Sequence, residues 1–130
     1  MKIAKYIVVI GAVLPLLAGC DAFEKKDKGY SELQAIEKKW EDAVAVAGST
    51  GRIALAQPVS NLQSIRRELE GVKLGKCLMA AKPAYEEHMD LLINAMLQFM
   101  SHHEAMSDQL IDEAKVSAQK YQKLKGECVQ

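Results

Sequence analysis

The residues of this 130-residue chain with the most obvious capacity for chemistry lie in its second half: His88, His102 and His103, with Met79, Met89, Met96, Met100 and Met106. A methionine paired with a histidine can ligate haem, and thioethers suit Cu(I). The spacings argue against both. His102 and His103 are adjacent, so a helix would point them about 100° apart, and His88 lies several helical turns away. Neither Glu-x-x-His nor His-Glu-x-x-His occurs, and no Cys-x-x-Cys-His for covalent haem. Met89, Met96 and Met106 share a register with Leu92, Phe99 and Leu110, where flexible thioethers fill core gaps or adaptable interfaces. The histidines read as turn and surface residues and the methionines as packing, with no metal and no cofactor expected.

Catalytic patterns are equally sparse. There is no Gly-x-Ser-x-Gly elbow, Walker loop or dinucleotide fingerprint. Glu86, Glu87 and Asp90 form one acidic group, and Glu104, Asp108, Asp112 and Glu113 another. Beside Lys115 and Lys120 at helical spacing they read as solvated faces with weak ion pairs. Arg66, Arg67, Lys73, Lys76 and Lys82 make a modest basic segment that would suit anionic headgroups. The expectation is a non-enzyme.

Composition narrows the class. Seventeen bases balance seventeen acids, and 49% of the residues are apolar. Zero net charge argues against nucleic acid as a partner, because such binders need a basic face to displace counterions. The apolar content is too high for a disordered chain, and the length suits one domain.

The elements that must carry these residues are helices. Leu33, Ile36, Trp40, Ala43, Val44 and Ala47 recur at three and four residues after a capping-box pattern, Ser31-Glu32-Leu33-Gln34. Gly48-Ser49-Thr50-Gly51 ends that helix. Val59, Leu62, Ile65 and Leu69 mark a second, over about 52–70 with a break near Pro58. From Lys76 to Lys125 there is no glycine, and one apolar stripe runs throughout. A continuous helix there would span about 75 Å and need another chain as a coiled-coil partner. A hairpin is favoured by Ser101-His102-His103-Glu104, a second capping-box pattern, and by the cysteines. Cys77 and Cys128 have their midpoint at 102.5, on His102-His103. An antiparallel turn there brings them within disulfide reach. Closing that 52-residue loop is worth on the order of 4 kcal/mol in a chain-entropy account.

The amino terminus supplies an address. Lys2 and Lys5 precede an apolar run, Ile7 to Ala18, that is shorter than the roughly 20 residues of a membrane span. The arrangement is that of a secretory signal peptide. It ends in Leu17-Ala18-Gly19-Cys20, which resembles the lipobox of bacterial lipoproteins. The resemblance covers residues 1–20. It implies diacylglyceration of the Cys20 thiol, cleavage after Gly19 by signal peptidase II, which would recognise Leu17, Ala18 and Gly19, and acylation of the new amine. Two or three acyl chains anchor stably where one does not. The resemblance further implies, by the sorting rule of enterobacterial lipoproteins, that Asp21 directly after that cysteine favours the periplasmic face of the inner membrane over the outer membrane. The stretch from Ser49 to Val59, with Leu62-Gln63 and Ile65-Arg66-Arg67, is similar to stretches of uncharacterised bacterial exported proteins, a likeness that implies no activity.

The expected organisation is a signal peptide over 1–19, a lipidated tether over 20–30 and one all-α domain over 31–130. Without Lys2 and Lys5 the mature chain holds fifteen bases and seventeen acids, a net of −2. The domain is expected to be a bundle of three to four helices ending in a disulfide-closed hairpin, its core centred on Trp40, Leu62, Ile65, Leu92, Met96, Phe99 and Leu110. The matching function is a non-enzymatic binding or scaffolding module, of inhibitor or immunity type for example. It would be held at the membrane by its acyl chains and directed at an envelope protein; oligomeric state stays open. The alternative is a carrier of a small ligand, copper or haem on the Met/His faces.

Overall fold

The computed structural model describes residues 18–129, with side chains from Gly29 onward. The signal segment and Leu17 lie outside the described residues, as do the side chains of Ala18, Gly19, Cys20 and Asp21. The described residues form an all-α bundle of four helices: α1 (Ala18–Gly48), α2 (Ala56–Glu70), α3 (Lys76–Met100) and α4 (Glu104–Val129). No strand occurs among the described residues.

α1 buries Leu33, Ile36, Trp40, Ala43 and Ala47 along one stripe. It begins at Ala18 rather than at Ser31, so Ser31 lies within the helix and caps nothing. The residues expected as a tether include alanine, glutamate and lysines, which are helix formers, and no proline interrupts them. At its other end the hydroxyls replace missing helical partners. Ser49 Oγ donates to the Ala45 carbonyl at 3.0 Å and Thr50 Oγ1 to the Val46 carbonyl at 2.6 Å, satisfying acceptors that a helix end leaves open.

A 3₁₀ turn, Arg52–Ala54, leads into α2. Pro58 sits in the first turn of α2, where its missing N–H would have had no helical acceptor in any case. The helix expected over about 52–70 is thus broken near Pro58, at Leu55, and Pro58 stands in the first turn of the longer part. Val59, Leu62, Ile65 and Leu69 face inward. After Gly71 the chain turns back into α3.

The long apolar stripe over 76–125 is broken into a hairpin, which excludes the continuous helix. The turn is a Schellman motif: His103 N–H donates to the Gln98 carbonyl at 2.9 Å and His102 N–H to the Phe99 carbonyl at 3.2 Å. Ser101 is therefore the C-cap of α3 and not, as expected, the N-cap of α4; Glu104 is the first residue of α4. Cys77 and Cys128 form the disulfide, their Cα atoms 5.6 Å apart. α3 and α4 are the most closely packed pair of helices. Ala81 and Ala95 on α3, with Ser107, Ala114 and Ser117 on α4, are all buried, and their small side chains let the two backbones approach.

Trp40, Leu62 and Ile65 lie in the core as expected, but Leu33, Leu69, Met89 and Tyr121 are, with Leu62, its largest fully buried side chains. Leu92, Met96 and Phe99 are only partly covered. Leu110, expected at the centre, is half-buried and outside the core cluster. On α4 the inward heptad positions go to Ser107, Ala114, Ser117 and Tyr121.

Candidate binding cleft

α4 meets α1 at one end of the bundle through side chains. Tyr121 donates to Glu37 Oε1 at 2.7 Å, and Lys125 Nζ lies 2.6 and 2.7 Å from the two carboxylate oxygens of Glu37. Tyr121 stacks on Tyr85 with ring centroids 4.4 Å apart. Burial, then the negative charge of Glu37 and Glu41, raises the Tyr85 phenol above its ordinary range. Tyr121 is raised too, first by burial and then by its bond to Glu37. His88 belongs to this layer and is not the surface histidine expected: its Nδ1 lies 2.8 Å from the Ala114 carbonyl and so donates to it. The Trp40 and His88 rings meet edge to face at 6.2 Å.

Towards the other end the two helices part. The gap is a cleft of about 410 Å³ walled by the end of α1 and the start of α4 and floored by α3. Leu55, Leu92, Met96, Phe99 and Ile111 are among its apolar lining residues, while Thr50, Ser107 and Asp108 bring polar atoms to it. It exists because Ala47, Gly48, Ala95 and Ser107 put little volume where a tight helix pair would place leucines. The partial exposure of Leu92, Met96 and Phe99 is its direct consequence.

Arg52 closes this end of the molecule. Its guanidinium lies 4.2 Å from the Phe99 ring centroid and contacts Glu104 and the His102 ring. Since arginine only donates, His102 Nδ1 is the acceptor of this contact. His102 itself has φ 61°, the left-handed conformation usually given to glycine at this point of a helix end. Glu104 is held below the usual carboxylate range, first by the backbone N–H it accepts and then by Arg52.

The residues singled out from the sequence are distributed as follows. Met89 is core, Met96 lines the cleft, and Met79 and Met106 are about half exposed. Met100 packs partly against the core. Among the described residues no three His, Cys, Asp or Glu side chains converge as for a metal ion. The basic segment is partly neutralised: Arg66 bonds Asp90 through Nε at 2.9 Å and also reaches Glu70 and Glu86, while Lys82 donates to the Glu70 carbonyl. Sequence reasoning missed the cleft-forming set, above all Gly48, Thr50 and Ser107, and the placement of Arg52 over Phe99 beside it. The available signal was small residues at core-register positions of α4.

No helix among the described residues is long and apolar enough to cross a membrane. No protein-family model, curated protein or solved structure matches the chain.

Proposed function

We propose that this is a lipid-anchored protein of the bacterial envelope, acylated at Cys20 and facing the periplasm. It acts there as a non-enzymatic binding module for another envelope protein, with the cleft between α1 and α4 as its binding surface. The cleft is the observation that carries the reading: an apolar, partly open concavity between two helices of a small domain. Exposed apolar side chains extend the surface at the same end of the bundle. Ile53 is wholly exposed, and Val46 and Met106 are each more than half exposed. These favour a protein partner over a small molecule, which the cleft alone would contain. From Cys20 to Gly48, α1 is about 42 Å long at 1.5 Å per residue. An anchor at Cys20 would therefore hold the cleft at the far end of α1 from the attachment point. Asp21 supports the inner membrane as the site of attachment.

The test is gentle purification of the acylated chain from solubilised membranes, with co-purifying proteins and metals both quantified. A stoichiometric envelope protein is expected. A lone chain carrying copper, haem or another small ligand would replace this reading with that of a carrier, for which the volume of the cleft and Met96 in its lining would be the starting point.

A further inference from the structure

Acidic side chains outnumber basic ones around the cleft, where the nearest base, Arg52 over Phe99, is already paired with Glu104. Residues 41–51 of the α1 end and residues 104–114 of α4 together carry six acids, Glu41, Asp42, Glu104, Asp108, Asp112 and Glu113, and no base. Three of the six are answered within the molecule: Asp42 by Lys38, Glu104 by Arg52 and Asp112 by Lys115. Asp108 lines the cleft itself. Glu41 stands on the α1 face that continues into Val44 and Gly48, three and seven residues on. Both carboxylates are exposed, and neither has an ion-pair partner among the described residues. No lysine or arginine lines the cleft.

The shape adds a second constraint. Two helices form the walls, and the lining on α1 runs from Val44 to Gly48, about 6 Å of helix axis, with Thr50 just past the helix end. That length accepts the apolar residues of roughly one turn of another helix, seated on Leu92, Met96 and Phe99 as a ridge sits in a groove.

We propose that the cleft receives an amphipathic helix of the partner, whose apolar ridge enters between α1 and α4 while its flanking lysine or arginine side chains meet Asp108 and Glu41. This rests on the binding-module reading above and specifies the partner's element. The carboxylates set its polarity: a basic helix gains two charge pairs at the rim, and an acidic one meets repulsion there.

The test uses the acylated full-length chain in phosphatidylcholine bilayers and two probe peptides of roughly 16 residues, about 24 Å as helices. The probes share one leucine-rich face bearing a photo-reactive group. One carries lysines on its polar face, the other glutamates. Each is titrated against the parent chain and against the Glu41→Lys/Asp108→Lys variant, whose substitutions are at exposed positions, so binding to lipid cancels between the chains. The lysine peptide is expected to bind the parent at least about tenfold more tightly than the glutamate peptide does. Crosslinks should fall on Met96, Phe99 or Ile111, and the variant should reverse the preference. Absence of binding, equal binding of both peptides, an unchanged preference in the variant, or crosslinks elsewhere would each overturn the proposal. A co-purifying envelope protein that stays with the variant would remove the basic-helix inference and leave the binding module standing. A partnerless parent chain would remove the module itself.

Discussion

Tyr121 of α4 gives its phenolic hydrogen to Glu37 of α1, 84 positions earlier in the chain, across 2.7 Å. With Lys125 on the same carboxylate, this contact holds α1 to α4 at one end of the bundle, while the cleft separates them at the other. Hydrogen bonds to charged groups contribute about 1.5–3 kcal/mol. Tyr121→Phe keeps the ring stacked on Tyr85 and leaves Glu37 paired with Lys125. It should therefore destabilise the chain by about 1–2 kcal/mol in denaturant unfolding, near the lower end of that range. A variant as stable as the parent would show that the pair contributes nothing.

The same layer gives a stability limit at high pH. Both Tyr85 and Tyr121 keep their protons more tightly folded than unfolded. Their contribution is complete below the ordinary phenol range near pH 10 and is lost as the pH rises beyond it, because the unfolded chain then releases protons that the folded chain retains. Phenolate absorbance from these two rings, isolated as the difference between parent and Tyr85→Phe or Tyr121→Phe, should rise only together with loss of helical circular dichroism. Ionisation of either ring in a chain still fully helical would contradict this.

His102 holds a left-handed backbone in the α3–α4 turn, at φ 61°. A β-branched residue tolerates that conformation poorly, at a cost of about 1–2 kcal/mol. His102→Val should therefore lower stability by about that amount. His102→Gly relieves the backbone but gives up the contact with Arg52, so its stability should lie within about 0.5 kcal/mol of the parent. Matched unfolding curves for the two variants decide it; equal losses would place the value of His102 in its ring alone.

Gly29 approaches the loop before α3 so closely that an added Cβ would lie 2.5 Å from the Lys73 carbonyl oxygen. Alanine is the better helix former by about 1 kcal/mol, yet the clash is with backbone, and overpacking costs about 1–3 kcal/mol. Gly29→Ala should be net destabilising, and hydrogen exchange should quicken around Leu74. A stabilised variant would mean that the loop yields freely.

Much of the architecture was legible because it depends on local periodicity. The stripes through Leu33–Ala47 and Val59–Leu69 mark buried helix faces whatever they pack against, and Cys77 and Cys128 place the turn at their midpoint. The beginning of α1 was not legible, since Ser31 carries a proper capping pattern that an already continuous helix never uses. Nor was the role of Ser101: the sequence before a helix and the sequence after one are the same residues in a tight turn, and the Schellman bonds to Gln98 and Phe99 decide which helix they close.

The sequence by itself determined that the chain is helical, where the hairpin turns and which cysteines can meet, because 3.6-residue periodicity and chain symmetry about a turn are one-dimensional properties. Only the tertiary structure decided that α4 touches α1 at Glu37 and parts from it between Val44 and Gly48. That depends on side-chain volumes summed across three helices: Tyr121 fills the space at one end, Ser107 and Ala95 leave it open at the other, and no single helix records the difference.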